Sequence, residues 1–125
     1  RMLADTMLKR LTQLDYDRDM AFVALEATGE LAGVGRLAAN PDRSEAEYAL
    51  LIRTDQQGHG LGWVLLSQII AYARHEGFAR IWGTVLSDNR KMLQMCREFG
   101  FSVARDPREA GNALVTLDLQ SADSG

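Results

Sequence analysis

Cysteine is nearly absent from this sequence. Cys96 is the only one in 125 residues, which excludes an internal disulfide and any cysteine-based zinc cluster. Histidine is almost as scarce, and His59 and His75 stand too far apart to read as a metal-binding pair; no metal is expected. Basic residues are not in excess. Fourteen Lys and Arg face 17 Asp and Glu, for a formal net charge of −3, so the concentrated basic face of a nucleic-acid binder is lacking. No apolar run approaches the ~20 residues of a membrane span. Neither a nucleic acid nor a membrane is therefore expected as a partner. The opening RMLADTMLKRL is not a signal peptide, because Asp5, Lys9 and Arg10 break its apolar residues, and a cytoplasmic location is expected. Repeats, low-complexity segments and Pro/Gly/Ser-rich linkers are missing as well.

What is present suits one globular unit. Apolar residues make up 46% and charged residues 25%, both ordinary values, and the length supports one core rather than two. Met2, Leu3, Met7, Leu8 and Leu11 recur at helical spacing and predict a helix over Leu3–Leu14. This start, without an initiator Met, reads as the middle of a longer polypeptide. The expected organisation is one domain over 1–120, cut from that longer chain, and a polar tail over 121–125 that frays. Met20–Ala27 is apolar on both faces, as a buried strand would be, and Thr28-Gly29 predicts a tight turn into a strand over Glu30–Ala39. Asn40-Pro41-Asp42-Arg43-Ser44 is a second turn by composition, followed by a strand over Glu45–Arg53 with an apolar centre at Tyr48–Ile52. Leu65, Leu66, Ile69, Ile70 and Ala73 then share one helical face, and Gly77 stands where a helix commonly takes a left-handed residue. Ala79–Val85 predicts a strand, Asp88-Asn89 an N-cap for a helix ending near Phe99, and Phe101–Ala104 and Ala113–Leu119 two final strands. The order predicts a mixed α/β (α+β) fold, with helices crossing a largely antiparallel sheet.

The segment Asp55-Gln-Gln-Gly-His-Gly-Leu-Gly-Trp63 joins the third strand to an amphipathic helix. It is either a flexible turn or an anion pocket. Glycine lets a backbone approach another molecule closely, and the first N–H groups of a helix have no internal acceptor and sit at its positive pole. A P-loop is excluded, since Gly60 is followed by Leu61-Gly62-Trp63 and not by Lys-Ser/Thr. A dinucleotide fingerprint is excluded too: the spacing is GxGxG, and hairpins precede it.

Here the sequence resembles a known family. Gln57-Gly58-His59-Gly60-Leu61-Gly62 matches the Q/R-x-x-G-x-G/A motif of the GNAT acetyltransferase superfamily. The resemblance continues in the element order, in Asn89 opening the next helix and in Glu98-Phe-Gly-Phe101 closing it. Leu11-Thr-Gln-Leu-Asp-Tyr-Asp-Arg-Asp-Met-Ala-Phe-Val-Ala24 is similar to the bacterial Pat-type protein lysine acetyltransferases, which are often fused to an acyl-CoA-synthetase-like region. The resemblance implies a sheet splayed at its middle with helices on both faces. It also implies acetyl-CoA as donor, its pyrophosphate on the amides of Gln57, Gly58, His59, Gly60, Leu61 and Gly62. The pantetheine arm would lie along Leu50, Leu51 and Ile52, with Asn89 beside it. Asn89 is equally read as a plain N-cap, and His59 as a solvent-facing loop residue. The extra strand with which the family usually begins has no counterpart here, and the sheet edge left open would then invite pairing with a second copy.

Acetyl transfer needs a neutral amine. A lysine of pKa about 10.4 is neutral in roughly one molecule in 2,500 at pH 7, which costs about 4.6 kcal/mol. Glu47 adjoins the apolar run, where burial would raise its pKa toward the working range, and it matches the glutamate that protein-acetylating members use as a base. The competing reading is a strand-edge charge in solvent, and Glu45 is read as a solvated hairpin residue. A backbone N–H from Leu50–Ile52 is expected to hold the developing oxyanion. Many members place a tyrosine seven residues after the helix-opening asparagine; this chain has Cys96 there, read as a packed, inert thiol. Met92, Leu93 and Met95 are read as the packing face of their helix. Asp15, Tyr16 and Asp17 either line the substrate side or belong to a loop. The expected activity is acetyl transfer to protein lysine, with an acyl-CoA synthetase among the candidate acceptors. Acetylation of a small amine and non-catalytic acyl-CoA sensing are the alternatives.

Overall fold

The computed structural model describes residues 19–53, 55 and 60–120. The helix expected over Leu3–Leu14, the Pat-like residues up to Arg18 and the tail over 121–125 lie outside them.

Short turns create the first three strands. β1 (Asp19–Leu25) reverses into β2 (Leu31–Ala39) through Gly29 at φ 90°, with Glu26 N–H bonded to Glu30 O at 2.8 Å. β2 reverses into β3 (Glu45–Ile52) through 40–44. There the Asp42 carboxylate accepts from both the N–H and the hydroxyl of Ser44, and Asn40 Oδ1 accepts from Glu45 N–H at 3.1 Å. Asn and Asp side chains replace backbone partners in this way, which is why such residues make turns. Helix α1 (Leu61–Glu76) follows, then β4 (Arg80–Leu86), helix α2 (Arg90–Phe99), β5 (Ser102–Arg105) and β6 (Asn112–Asp118). The six strands form one sheet in the order β1-β2-β3-β4-β6-β5. Only β3 and β4 run parallel; every other neighbouring pair is antiparallel. This is the mixed, mostly antiparallel architecture expected.

One face of the sheet carries both described helices. Register places Gly35 beside Leu50 and Leu37 beside Tyr48, so these four point the same way. The buried residues of α1 are Leu65, Leu66, Ile69, Ile70 and Ala73, the set read from periodicity. Each large aliphatic in that set contributes about 1.5–3 kcal/mol by leaving water. Gly35 lets the helix come close: a Cβ there would stand 2.7 Å from Ile69 Cδ1. α2 buries Leu93 and Cys96 against the same core, with Leu37, Tyr48, Ile81, Val115 and Phe101. Gly77 and Gly100 end the two helices at φ 84° and 100°.

One expectation needs correction. Met20–Ala27 reads as a strand buried on both sides, but among the described strands β1 is an edge of the sheet, with Val23 49% and Leu25 61% exposed. Its apolar composition is that of a central strand; its position is decided by pairing that one strand cannot encode. Helices on both faces remain an expectation that the described residues do not reach.

Candidate active site

A wedge and a short ladder open a cleft in the sheet. The parallel pairing of β3 and β4 runs only from Glu45–Arg80 to Glu47–Trp82. Next come Tyr48 and Gly83, where a Cβ on the glycine would stand 2.5 Å from Tyr48 Cε2 and 3.0 Å from Tyr48 O. Tyr48 is held in place, edge-on to Phe101 at 5.7 Å and with Oη 3.3 Å from Cys96 Sγ. Beyond the wedge lies a cavity of about 360 Å³. Leu50, Leu51 and Ile52 form one wall, Gly60, Gly62 and Trp63 of the α1 start another, and Asn89, Lys91, Met92 and Met95 of the α2 start a third.

Strand register decides which backbone groups reach this cleft. Asn40 N–H donates to Glu45 O, and Arg53 N–H donates to Ala32 O at 2.9 Å. The odd-numbered residues of β3 therefore carry its hydrogen bonds to β2, and the even-numbered ones face the other edge. Leu50 and Ile52 direct their backbone groups toward the cleft. Leu51 lines it, but its backbone pairs with Val34 of β2, so it does not serve as an oxyanion donor.

The first turn of α1 closes one end. Gly60 is its N-cap at φ 80°, with no side-chain cap and no acidic residue in the first turn. Val64 N–H is bonded to Gly60 O, so the N–H groups before it have no intrahelical acceptor and stand at the positive helix pole. A Cβ at Gly60 would meet nothing within 4 Å, and one at Gly62 would meet Met95 Cε at 3.6 Å; the approach is open. Leu61 turns its side chain to the sheet, its Cδ2 3.2 Å from where a Gly33 Cβ would be. Gln57, Gly58 and His59 lie outside the described residues, as do Asp15, Tyr16 and Asp17.

Asn89 does what an N-cap does, accepting Met92 N–H at 3.2 Å, and it also lines the cleft. Cys96 is fully buried and does not line the cleft; burial pushes its thiol pKa up, the behaviour of an inert thiol. Burial, and then the Cys96 contact, likewise push the Tyr48 hydroxyl up. Glu47 requires a correction: it is exposed. It sits beside Tyr48 in sequence but on the opposite face, because side chains alternate along a strand. The burial expected from its apolar neighbours belongs to them and not to it.

Several contributors escape sequence reasoning. Met92 and Met95 pack against the core, as expected, but also line the cleft. Trp63, stacked on Phe99 at 4.0 Å, and Lys91 form part of the wall. A large aromatic next to a glycine turn on an otherwise exposed helix face was the available signal for Trp63. Arg53 has no such signal. It donates to Asp55 at 2.6 Å, to Leu31 O at 3.2 Å and to Glu26, pinning the exit of β3 to the β1–β2 turn.

On the far face a second concavity of about 380 Å³ adjoins the last rung, lined by Glu45, Arg80, Trp82, Pro107, Arg108, Leu114 and Thr116. Glu45 pairs with Arg80 at 2.8 Å. The groove takes in Trp82 of the last β3–β4 rung, and the cleft on the other face opens beyond that rung.

Comparison with known proteins agrees with this geometry. The model of the acetyltransferase (GNAT) family matches residues 3–101. An acetyltransferase of Pseudomonas aeruginosa is 37% identical over 116 residues, 90% of this chain and 62% of that protein. An L-methionine sulfoximine/L-methionine sulfone acetyltransferase of Pseudomonas paraeruginosa is 29% identical over 78% of this chain and 59% of that protein. Among solved structures, the GNAT domain of S. lividans PAT superposes with a TM-score of 0.73 at 29% identity, covering 85% of this chain and 64% of that one. The chain thus spans somewhat under two thirds of the length of these relatives. With its helix-led glycine turn, its splayed sheet and a family match over most of its length, the chain belongs to the GNAT acetyltransferase family.

Proposed function

We propose that the chain is an acetyl-CoA-dependent N-acetyltransferase whose acceptor is the ε-amino group of a protein lysine. The observation that carries this reading is the cleft itself: it opens where the β3–β4 ladder stops after Glu47–Trp82 and ends at a helix N-terminus with no side-chain cap. An extended amide-bearing arm fits the strand edge at Leu50, and a phosphate fits the amides after Gly60. When bound, acetyl-CoA supplies an activated acyl group whose leaving group is a thiolate. Glu47, on the last rung of the β3–β4 ladder, takes the proton from the incoming ammonium. The Leu50 N–H holds the carbonyl oxygen. Cys96, sealed in the core, takes no part, so transfer is direct and leaves no acetyl group on the protein.

The lysine acceptor is supported by the resemblance of Leu11–Ala24 to the Pat-type protein lysine acetyltransferases, together with the likeness to the GNAT domain of S. lividans PAT. A second reading, acetylation of a small amino compound, is favoured by the likeness to the methionine sulfoximine acetyltransferase. Labelled acetyl-CoA offered with a panel of proteins (an acyl-CoA synthetase among them), lysine peptides, amino acids and polyamines separates them. Label on protein lysines is the expected result. Label confined to small amines would establish the second reading, and binding without transfer to any acceptor would make the chain an acyl-CoA sensor.

A further inference from the structure

The far-face groove contains a cation with unspent hydrogen-bonding capacity. Arg108 stands in the loop between β5 and β6, its guanidinium carbon 5.4 Å from the centre of the Trp82 ring. Its position is anchored from below. The Arg108 N–H donates to Asp106 Oδ1 at 2.9 Å, and Nε approaches the same oxygen at 3.4 Å. Asp106 is the one buried charged residue among those described, 4% exposed, and it holds the backbone from which the exposed Arg108 side chain projects. The two Nη groups carry no partner among the described residues. Arg80, the other arginine in the groove, differs: its Nη1 is bonded to Glu45 at 2.8 Å.

Trp82 connects this cation to the chemistry. It is the ladder neighbour of Glu47, so the two side chains leave the same face of the sheet from adjacent strands, and the Arg108 guanidinium stands over the indole ring. An amine directed to Glu47 would lay its aliphatic stem on that indole and bring whatever follows the stem to Arg108. A guanidinium with a free fork favours a carboxylate, which it can hold by two parallel hydrogen bonds.

We propose that Arg108, presented by Trp82 and Asp106, is the specificity-determining residue of the acceptor site and receives a carboxylate carried by the acceptor. The inference rests on the reading that Glu47 and its groove receive the acceptor. The carboxylate has two chemical sources: an Asp or Glu flanking the target lysine, or the carboxylate of a free amino acid. The lysine reading favours the first.

The test compares matched acceptors with wild-type protein, Arg108→Gln, Arg108→Lys and Arg108→Glu. The pairs are a lysine peptide flanked by Glu against the same peptide flanked by Gln or Lys, and an amino acid against its decarboxylated amine. Urea midpoints check that the variants fold once the Nε contact to Asp106 is lost; the backbone N–H of residue 108 keeps its bond to Asp106 in all of them. For wild type we expect kcat/KM to be ~10-fold to 100-fold higher for the carboxylate-bearing member of a pair, the range for a charge-assisted hydrogen bond. Arg108→Gln should abolish that preference through the acceptor KM, with the acetyl-CoA KM unchanged. Arg108→Lys should retain part of it, and Arg108→Glu should reverse it in favour of the Lys-flanked peptide. Preference seen only among peptides, or only among small amines, identifies the source of the carboxylate. Equal use of both members by wild type, or a preference that survives Arg108→Gln, overturns the assignment and leaves the proposed function standing. Failure to acetylate any acceptor overturns the proposed function and the assignment with it.

Discussion

Glu47 and Cys96 show how position redefines a side chain. Glu47 is exposed on the face of β3 opposite the cleft, so the base role proposed for it rests on placement and not on burial. Glu47→Gln is expected to lower kcat by about 10²-fold or more with the acetyl-CoA KM within a factor of about two, since its side chain is not on the cofactor wall. Steady-state kinetics with both substrates varied checks this; an unchanged kcat would remove Glu47 from the mechanism. Cys96 is the reverse case, a reactive residue type made inert by enclosure. Cys96→Ala is expected to keep turnover within a few-fold, and native protein should resist thiol reagents until urea unfolds it. Acetyl label trapped on Cys96 would overturn direct transfer.

At the scale of elements, the cleft depends on where a ladder stops. β3 and β4 are paired through Glu47–Trp82 and then held apart by the Tyr48 ring seated on Gly83. Gly83→Ala would push a methyl group into both the ring and the backbone of Tyr48. The second of these cannot yield by a rotamer change, so a loss of about 1–3 kcal/mol is expected, measured by urea unfolding. Arg53 fixes the other end, bridging Asp55 to the β1–β2 turn. Arg53→Ala should raise the acetyl-CoA KM several-fold while kcat at saturation is retained, because it loosens the approach to the glycine turn and touches no reacting atom. A KM unchanged in that variant would show that the turn is held from elsewhere.

For the molecule as a whole, one core ties the sheet to both described helices, and two ionisable groups lie inside it. Burial raises the pKa of Cys96 and of Tyr48, so both stay protonated in the folded state. Once pH rises past about 8.5 for cysteine and about 10 for tyrosine, the unfolded chain releases protons that the folded chain keeps. Their contribution to stability is complete below those values and declines above them. The urea midpoint of wild type should therefore fall more steeply above about pH 8.5 than that of Cys96→Ala; parallel declines would show that other groups control alkaline unfolding. Local sequence was enough for the order of the described elements, the buried face of α1, the Asn89 cap and the helix stops at Gly77 and Gly100. Each of these follows from periodicity or backbone freedom within a few residues. Tertiary contacts set the rest: that β1 is an edge among the described strands, that Glu47 is exposed, that the Leu51 backbone pairs with β2, that Arg53 reaches Glu26 and that Arg108 stands over Trp82. Those outcomes depend on strand register and on contacts between distant residues, and a one-residue change of register exchanges the two faces of a strand.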